Sequence, residues 1–303
     1  MSTETLPPSV RRAAPPRALP FLAAAGFVVF WSSGFIGARW GTEYSSAFDL
    51  LAWRFLLAGT IAAVALAIRR PRITRADLIT HTGMAVLTQF VYLGLIFVGI
   101  DHGISAGITA LIGSLQPILI ATVAGPLLGE RVSPLQWAGL ALGLGGVGLV
   151  VADDLGSGHG SPWLFALPVA GLLGLAAGTV LERRRKPQTN LLDALCLQSV
   201  VSGVLFIVVA TATQQMTVPG ELGFYGAAVW LVVFSTAGGW GLYLVNLRLS
   251  GATRVSSMLY LVPPTTMVLA YLMFGETIGP IALAGMLVCA VAVLLIRRPA
   301  RAR

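Results

Sequence analysis

Ten apolar stretches, each close to the length of one membrane-spanning helix, follow one another along this chain of 303 residues. A helix needs roughly 20 apolar residues to cross a hydrocarbon core of about 30 Å. Only helices and closed barrels satisfy their backbone hydrogen bonds in lipid, and the alternating pattern of a barrel strand does not occur. Charged residues make up only 11% of the chain, against about 25% in soluble proteins. We therefore predict an all-α integral membrane protein, with spans at approximately 19–39, 50–68, 78–99, 104–128, 135–151, 163–181, 191–211, 226–247, 255–274 and 278–296.

One short pattern occurs near the end of each half of the chain. Pro117 precedes a Gly-Glu pair at 129–130 by twelve residues, and Pro263 precedes the pair at 275–276 by the same distance. The offset between the two copies is 146 residues. Five predicted helices separate any element from its copy, and an odd number of crossings turns the second copy upside down. The sequence thus predicts ten transmembrane helices arranged as two inverted five-helix repeats, which is typical of secondary transporters.

The repeat divides the chain into segments. The last two helices of the halves match best, whereas the second helices match more weakly, with Gly59 opposite Gly203 and Arg54 opposite Gln198. The segment between the halves is rich in Gly, Ser and Asp, as expected of an exposed loop. We expect a cytoplasmic tail at 1–18, repeat 1 at 19–151, an outer linker at 152–162, repeat 2 at 163–296 and a basic tail at 297–303.

The basic residues are distributed unevenly between alternate loops. If the N-terminus is cytoplasmic, all of the 20 Lys and Arg residues except Arg39 and Arg54 lie on cytoplasmic segments. The positive-inside rule then predicts a multi-pass protein with both termini in the cytoplasm. Because these residues are scattered over six patches, they do not form one face for nucleic acid. They are Arg11, Arg12, Arg17, Arg69, Arg70, Arg72, Arg75, Arg131, Arg183, Arg184, Arg185, Lys186, Arg248, Arg254, Arg297, Arg298, Arg301 and Arg303.

Catalytic and cofactor motifs are poorly supported. A GxSxG pattern at 103–107 follows Asp101 and His102, but a helix precedes it, and adjacent acid and histidine cannot line up as a relay. A GxGxxG pattern at 143–148 lies inside an apolar span, where small residues favour close helix packing. The two cysteines lie inside predicted spans and indicate neither a disulfide framework nor a metal site. We expect no enzyme activity, no cofactor and no metal.

Polar and aromatic residues at the middle depth of the spans are the candidates for binding a solute. Polar groups in hydrocarbon are costly and tend to face a cavity, although Ser and Thr also bond back to their own helices. These residues are concentrated on equivalent spans of both halves. The predicted binding set is Trp31, Ser32, Ser33, Gln89, Tyr92, Ser114, Gln116, Trp240, Tyr243 and Tyr260, and Thr88, Ser235, Thr236, Ser256 and Ser257 lie at similar depths.

A second set of residues is predicted to form hinges or gates. Pro117 and Pro263 remove helix hydrogen bonds at matching depths, which favours either a simple kink or a break beside a binding cavity. Arg54 lies four or five residues below the outer boundary, where it can reach the headgroups or act as a gate or anion partner. Glu130 and Glu276 lie at helix ends, consistent with hinges or caps.

These residues carry a resemblance to a known family. The opening Trp31-Ser32-Ser33-Gly34, Arg54 on the second span and the proline to Gly-Glu pattern ending each half resemble paired EamA domains of the drug/metabolite transporter superfamily. The resemblance covers about 19–296. It implies a ten-helix carrier with a central cavity lined by the first, third, fourth, sixth, eighth and ninth spans. The first-span glutamate that small multidrug-resistance relatives use for proton exchange is absent, and His81, near a cytoplasmic end, is only a weak substitute.

The residues and the resemblance together predict a transporter of the bacterial inner membrane. We expect export of small metabolites, amino acids or related compounds and drugs, by alternating access. The aromatic members of the set would bound the solute and the Ser and Gln members would hydrogen-bond it. The alternatives are an uptake carrier of the same family and a polytopic membrane enzyme. The expected partners are a small-molecule substrate and the lipid bilayer, with no nucleic acid, and the chain would act as a monomer or homodimer.

Overall fold

The computed structural model describes residues 18–119, 134–156, 161–250, 255, 258–276 and 279–296, and those ranges are mostly helical and contain no strand. By length and composition, six of their helices can cross a membrane, and three shorter apolar helices accompany them. The predicted class, an all-helical membrane protein, is confirmed. The six long spans are Leu19–Gly41, Ala47–Arg69, Arg75–Asp101, Pro162–Arg185, Leu191–Ala212 and Leu222–Asn246, and the shorter helices are Trp137–Ala152, Leu259–Phe274 and Pro280–Val291.

The α-helices of the first half are numbered here in chain order. Two of them, α3 and α4, are joined by a π-helical segment, π1, into one continuous span. The helices are α1 (Ala18–Gly41), α2 (Ala47–Arg69), α3 (Arg75–Met84), π1 (Ala85–Val91), α4 (Tyr92–Asp101), α5 (Ala106–Gly113), α6 (Gln116–Leu119) and α7 (Pro134–Gly156).

The second half has a similar order of elements. A π-helical segment, π2, again joins two α-helices into one span. The elements are a 3-10 turn (Pro162–Phe165), α8 (Ala166–Arg185), α9 (Leu191–Ala212), α10 (Leu222–Trp230), π2 (Leu231–Gly239), α11 (Trp240–Ser250), a second 3-10 turn (Leu259–Leu261), α12 (Val262–Phe274) and α13 (Pro280–Ile296).

Several boundaries differ from the predicted ones. Helix α7 continues to Gly156, five residues into the predicted linker. The fourth predicted span is described only as far as Leu119, and its α-helix is interrupted at Ser114 and Leu115. Glu130, the side chain of Pro117, Ser256 and Ser257, residues 1–17, 157–160 and 297–303 lie outside the described part of the chain.

Helices α2 and α9 begin with the same kind of cap, 144 residues apart. Ser46 Oγ accepts a hydrogen bond from the Asp49 N–H, and Asn190 Oδ1 accepts one from the Leu192 N–H. These side chains satisfy N–H groups that the first turn of a helix leaves free. Asp49 and Asp193, also 144 residues apart, occupy the same place in the first turn, where a negative charge is favoured.

Glycines let α2 and α9 cross closely and in antiparallel directions. A Cβ atom on Gly203 would lie 2.9 Å from the Phe55 carbonyl oxygen, and one on Gly59 would lie 3.3 Å from the Ser199 carbonyl oxygen. The residue numbers rise on one helix as they fall on the other. The Arg69 to Asp193 ion pair extends this crossing to the end of α2.

Helices α7 and α13 also pack in antiparallel directions through small residues. A Cβ on Gly146 would lie 2.8 Å from the Gly285 carbonyl oxygen, and one on Gly285 would lie 2.6 Å from the Gly146 carbonyl oxygen. Cys289 Sγ lies 3.5 Å from the carbonyl oxygen of Gly143, which is 146 residues away in the sequence. Such close backbone approach is how helices associate where burial of apolar surface provides no drive.

The largest buried apolar cluster draws on both halves of the chain. Leu50 and Phe97 from the first half and Phe206, Phe224 and Leu231 from the second are buried in it. The Phe206 ring stacks on that of Phe55, with centroids 5.3 Å apart. The two halves therefore share one core, and the elements described next are held by contacts between them.

Candidate functional site

The two π-helical segments occur at equivalent places in the two halves. Ala85, the first residue of π1, and Leu231, the first residue of π2, are 146 residues apart, the offset of the repeated sequence pattern. A π-helical turn is rare and occurs often at functional sites, because it interrupts the regular hydrogen bonding of an α-helix. The two segments place Gln89 and Ser235 at matching positions.

Each π segment packs against the first long helix of the opposite half. Gly34 of α1 lies against π2, where an added Cβ would come within 2.7 Å of Ser235 Oγ. Gly174 of α8 lies against π1, where an added Cβ would come within 3.0 Å of the Leu87 carbonyl oxygen. The interface between the halves thus runs along both π segments.

An aromatic cluster lies beside the end of π2. The Trp31 ring meets the Trp240 ring edge-on with centroids 5.3 Å apart, and Tyr243 lies 5.4 Å from Trp240 and 6.4 Å from Trp31. Phe27 completes the cluster, 5.4 Å from Trp31. The structure therefore brings together three of the predicted binding residues, and all three rings are half-buried.

Arg54 lies against the middle of the same π segment. Its Nη2 donates hydrogen bonds to Thr236 Oγ1 at 3.1 Å and to Ser235 Oγ at 3.4 Å. The guanidinium carbon lies over the rings of Phe55 and Phe97, 5.3 and 5.8 Å from their centroids. Only 6% of the residue is exposed, so Arg54 does not reach the headgroup region in this structure.

A second polar cluster lies at π1 and does not contain Arg54. Gln89 Nε2 lies 3.5 Å from Gln198 Oε1, and Gln198 Nε2 lies 3.3 Å from His81 Nδ1. Within the described ranges, Gln89 Oε1 and His81 Nε2 are buried without hydrogen-bond partners. The cluster joins the third span of the first half to α9. Gln198, which the sequence only marks as the counterpart of Arg54, is the residue that links its members.

The predicted serines make a different set of contacts. Ser32 and Ser33 are buried, and their hydroxyls donate to the carbonyl oxygens of Val262 and Phe30. Ser114 donates to the Leu111 carbonyl oxygen of its own helix. In this structure the three hydroxyls bond to the backbone, and the Ser32 bond ties α1 to the beginning of α12. Their part in binding a solute stays a prediction.

The remaining predicted residues lie around the breaks before the prolines. Tyr92 begins α4 directly after π1, and Gln116 begins α6 directly after the interruption of the fourth span. Tyr260 lies in the 3-10 turn before α12, and Pro263 is buried in the first turn of that helix. A proline in a first turn costs no backbone bond. The helix breaks coincide with the positions that the prolines predict.

The repeated Gly-Glu pair has a clear structural role in its second copy. Gly275 ends α12 with a φ of +69°, and its N–H bonds to the Tyr271 carbonyl oxygen. Gly275 is therefore the cap. Glu276 instead lies 3.5 Å from Arg39, which also pairs with Glu43 at 3.1 Å. This contact joins α1 to the loop after α12.

Asp49 is a residue that the sequence analysis missed. It is fully buried at the beginning of α2, where it accepts hydrogen bonds from the hydroxyls of Ser45 and Thr217 and from the Thr217 N–H. Its signal was available in the 144-residue offset that also relates Ser46 to Asn190. No group of three His, Cys, Asp or Glu residues in the described ranges is placed to hold a metal ion.

Comparisons with known proteins agree on one family. The model of the EamA-like transporter family matches the chain twice, over residues 19–152 and 162–298. A probable terminal-alkyne amino-acid exporter of Streptantibioticus cattleyicolor is 28% identical, over 89% of this chain and 91% of its own.

More distant relatives match over a similar share of the chain. An uncharacterized inner membrane transporter of Escherichia coli K12, YedA, is 24% identical over 91% of this chain and 90% of its own. A probable amino-acid metabolite efflux pump of Salmonella typhimurium is 23% identical over 85% and 88%. A crystal structure shares the fold with a TM-score of 0.63 at 21% identity, covering 93% of this chain and 100% of the other.

Proposed function

Because the chain belongs to the EamA-like transporter family, we propose that it exports small metabolites, amino acids or related compounds, across the bacterial inner membrane by alternating access. The observation that carries this proposal is the meeting of both halves at the π segments. There, Trp31 from one half and Trp240 and Tyr243 from the other form one aromatic cluster. A solute held at such an interface is exposed first to one side of the membrane and then to the other, as the two halves rock about it.

The contacts between the halves support ten spans in two inverted repeats. Arg54 contacts Ser235, and Gln198, the counterpart of Arg54, contacts Gln89, the counterpart of Ser235. At the crossing of α2 and α9, the glycine of each helix likewise lies against a carbonyl oxygen of the other helix. Contacts exchanged like this are those of a two-fold axis. Antiparallel crossing of equivalent helices is consistent with an axis in the membrane plane. The distribution of basic residues supports the proposal that both termini are on the cytoplasmic side.

The binding site of the proposal lies along π1 and π2. Trp31, Trp240 and Tyr243 bound the solute, and Gln89 and the other polar residues of the predicted set hydrogen-bond it. Aromatic rings provide a large apolar contact with a polar edge, which suits small amphipathic metabolites. Amino acids or their metabolites are in the names of two relatives, and this supports the same class of solute here.

The contacts at the end of the bundle where α1 ends and α2 begins suggest which way the carrier is closed. There, Arg39 pairs with Glu276, and buried Asp49 accepts a hydrogen bond from the Thr217 hydroxyl. We assign this end to the outer face from the distribution of basic residues. In the proposed cycle these contacts open when the halves rock, and Pro117 and Pro263 mark where the helices bend.

Transport in proteoliposomes tests the site. Vesicles with the purified chain are loaded with the twenty standard amino acids and an extract of bacterial small metabolites, and mass spectrometry follows what leaves them. We expect Trp240→Ala, Gln89→Ala and Gln116→Ala each to reduce export at least about tenfold, because each removes a contact to the solute. If all three variants export like the unmodified chain, the site assignment is wrong.

Matched substitutions control for general damage. Trp137 is exposed on α7, and Gln188 is exposed after α8. Trp137→Ala and Gln188→Ala remove the same groups away from the site, and we expect export within about twofold of the unmodified chain. Efflux from deletion and complemented cells tests direction, since accumulation on complementation indicates the uptake alternative. Recovery of the solute chemically unaltered contradicts the membrane enzyme alternative.

A further inference from the structure

Arg54 is a buried cation whose charge is not balanced by the described residues. It is 6% exposed and lies seven residues after the beginning of α2. Arg39 and Arg69 are in ion pairs, whereas Arg54 Nε is buried without a hydrogen-bond partner in the described part of the chain. Burying an unpaired charge in an apolar environment is strongly unfavourable. Its presence therefore requires a reason other than stability.

Two carboxylates on the helices that hold Arg54 and Phe97 bond to other groups. Asp49, five residues earlier on α2, accepts hydrogen bonds from Ser45 and from Thr217. Asp101, at the end of α4, accepts one from the Ala47 N–H. Arg54 itself reaches neutral hydroxyls and two phenyl rings, which stabilise a cation only in part.

The equivalent position in the other half shows that the fold does not need a cation here. Gln198 lies seven residues after the beginning of α9 and makes the corresponding contact to π1. A neutral amide is thus sufficient to join the second helix of one half to the π segment of the other. The positive charge is what distinguishes residue 54 from its counterpart. Because no carboxylate of the described residues pairs with it, a ligand is a source of the counter-charge.

The surroundings of Arg54 define the chemistry of that ligand. Both of its hydrogen bonds use Nη2, so the N–H groups of Nε and Nη1 remain for an anion. One guanidinium balances a single negative charge, whereas a phosphate dianion would remain half uncompensated between Phe55 and Phe97. Trp240 follows Thr236 by four residues, which is about one turn of the helix. An anion at Arg54 can therefore extend an apolar body to the aromatic cluster.

We propose that Arg54 binds the carboxylate of the transported solute, and that the substrate class is small carboxylic acids with an apolar or aromatic body, including α-amino acids. This inference rests on the proposed function, because it uses the same site. The aromatic cluster holds the apolar body of the solute, and Arg54 holds its carboxylate. The hydroxyls of Ser235 and Thr236 accept hydrogen bonds from Arg54 and so orient its guanidinium.

Three probes that differ in their charged groups test the proposal. L-phenylalanine carries a carboxylate and an amine, 3-phenylpropionate carries only the carboxylate, and 2-phenylethylamine carries only the amine. Their binding to the purified full-length chain is measured by the shift in apparent melting temperature and by tryptophan fluorescence. We expect both acids to bind and the amine to bind at least tenfold more weakly. Equal binding of the amine, or no binding of either acid, would overturn the proposal.

The matched variants are Arg54→Gln and Arg72→Gln, which remove one positive charge at a buried and at an exposed position. Arg54→Gln introduces the residue found at the equivalent position, so we expect it to fold with an unchanged or higher melting temperature. It should bind both acids about 10- to 100-fold more weakly, as expected for loss of a charge-assisted hydrogen bond. Arg72→Gln should bind them unchanged. Unchanged affinity in Arg54→Gln contradicts the proposal.

A structural role for Arg54 and a failure of the proposed function give different results. If Arg54→Gln lowers the melting temperature but retains acid binding, Arg54 is structural and the proposal is wrong. If another solute leaves proteoliposomes in a Trp240-dependent way with Arg54→Gln fully active, the inference fails and the proposed function stands. If no solute moves, the proposed function itself fails.

Discussion

Gly275 illustrates how a single residue of the repeated pattern is explained by backbone geometry. Its φ of +69° is in the left-handed region, where side chains with a Cβ are strained. The residue ends α12 so that the following Glu276 turns towards Arg39. The Gly and the Glu of the pattern therefore have different roles: Gly275 ends the helix, and Glu276 pairs with Arg39.

Replacing Gly275 with Ala should therefore destabilise the protein. A Cβ at this φ costs about 1 kcal/mol, although it meets no atom within 4 Å. We expect a lower apparent melting temperature of the detergent-purified Gly275→Ala variant. Gly148→Ala is the control, because Gly148 is in the middle of α7 with equally open space, and alanine favours a helix there. Equal melting temperatures for the two variants would exclude strain at Gly275.

For single residues, the sequence does not predict the direction in which a side chain points from its helix. Depth along a span identifies Trp31, Ser32 and Ser33 as one group, but successive residues on a helix point about 100° apart. Trp31 joins the aromatic cluster, whereas the Ser32 and Ser33 hydroxyls bond to backbone oxygens. Asp49 escaped notice because its burial depends on Thr217, which lies 168 residues away in the chain.

At the scale of whole helices, the crossing of α2 and α9 determines how closely the two halves approach. The repeated glycines of these helices are 144 residues apart, and the sequence alone indicates that they correspond. It does not indicate that they face each other, because the contact forms only when the two halves pack. The structure shows that each of these glycines lies against a backbone carbonyl oxygen of the other helix.

A graded response is expected from alanine substitutions at this crossing. A Cβ on Gly203 would lie 2.9 Å from the Phe55 carbonyl oxygen, which cannot move without the helix, whereas one on Gly59 would lie 3.3 Å from the nearest atom. Overpacking of this kind costs about 1 to 3 kcal/mol. We expect Gly203→Ala to lower the apparent melting temperature more than Gly59→Ala, and Gly148→Ala not to lower it. The reverse order would contradict the described crossing.

The whole molecule is a membrane transporter of the EamA-like family, and the resemblance seen in the sequence is confirmed by the family match over both halves. Composition and the length of the apolar stretches were enough to predict an all-helical membrane protein. Two features could not be predicted from them. The π segments follow from hydrogen bonding within a span, and the Arg39 to Glu276 contact follows from how the ends of distant helices meet.

The proposed alternating access requires that the Arg39 to Glu276 contact open during transport. A cross-link between residues 39 and 276 tests this requirement directly. Arg39→Cys and Glu276→Cys are introduced together after Cys196 and Cys289, the cysteines of the described chain, have been replaced by alanine in a background that still transports. A thiosulfonate cross-linker long enough to span the original side chains then joins the pair in proteoliposomes. Each single-cysteine variant treated in the same way is the control.

The measurement is export before cross-linking, after it and after reduction. We expect cross-linking of the pair to reduce export at least about tenfold, reduction to restore it, and the single-cysteine variants to be unaffected. Undiminished export by a fully cross-linked protein would contradict alternating access at this end, because the solute would then cross without separation of residues 39 and 276.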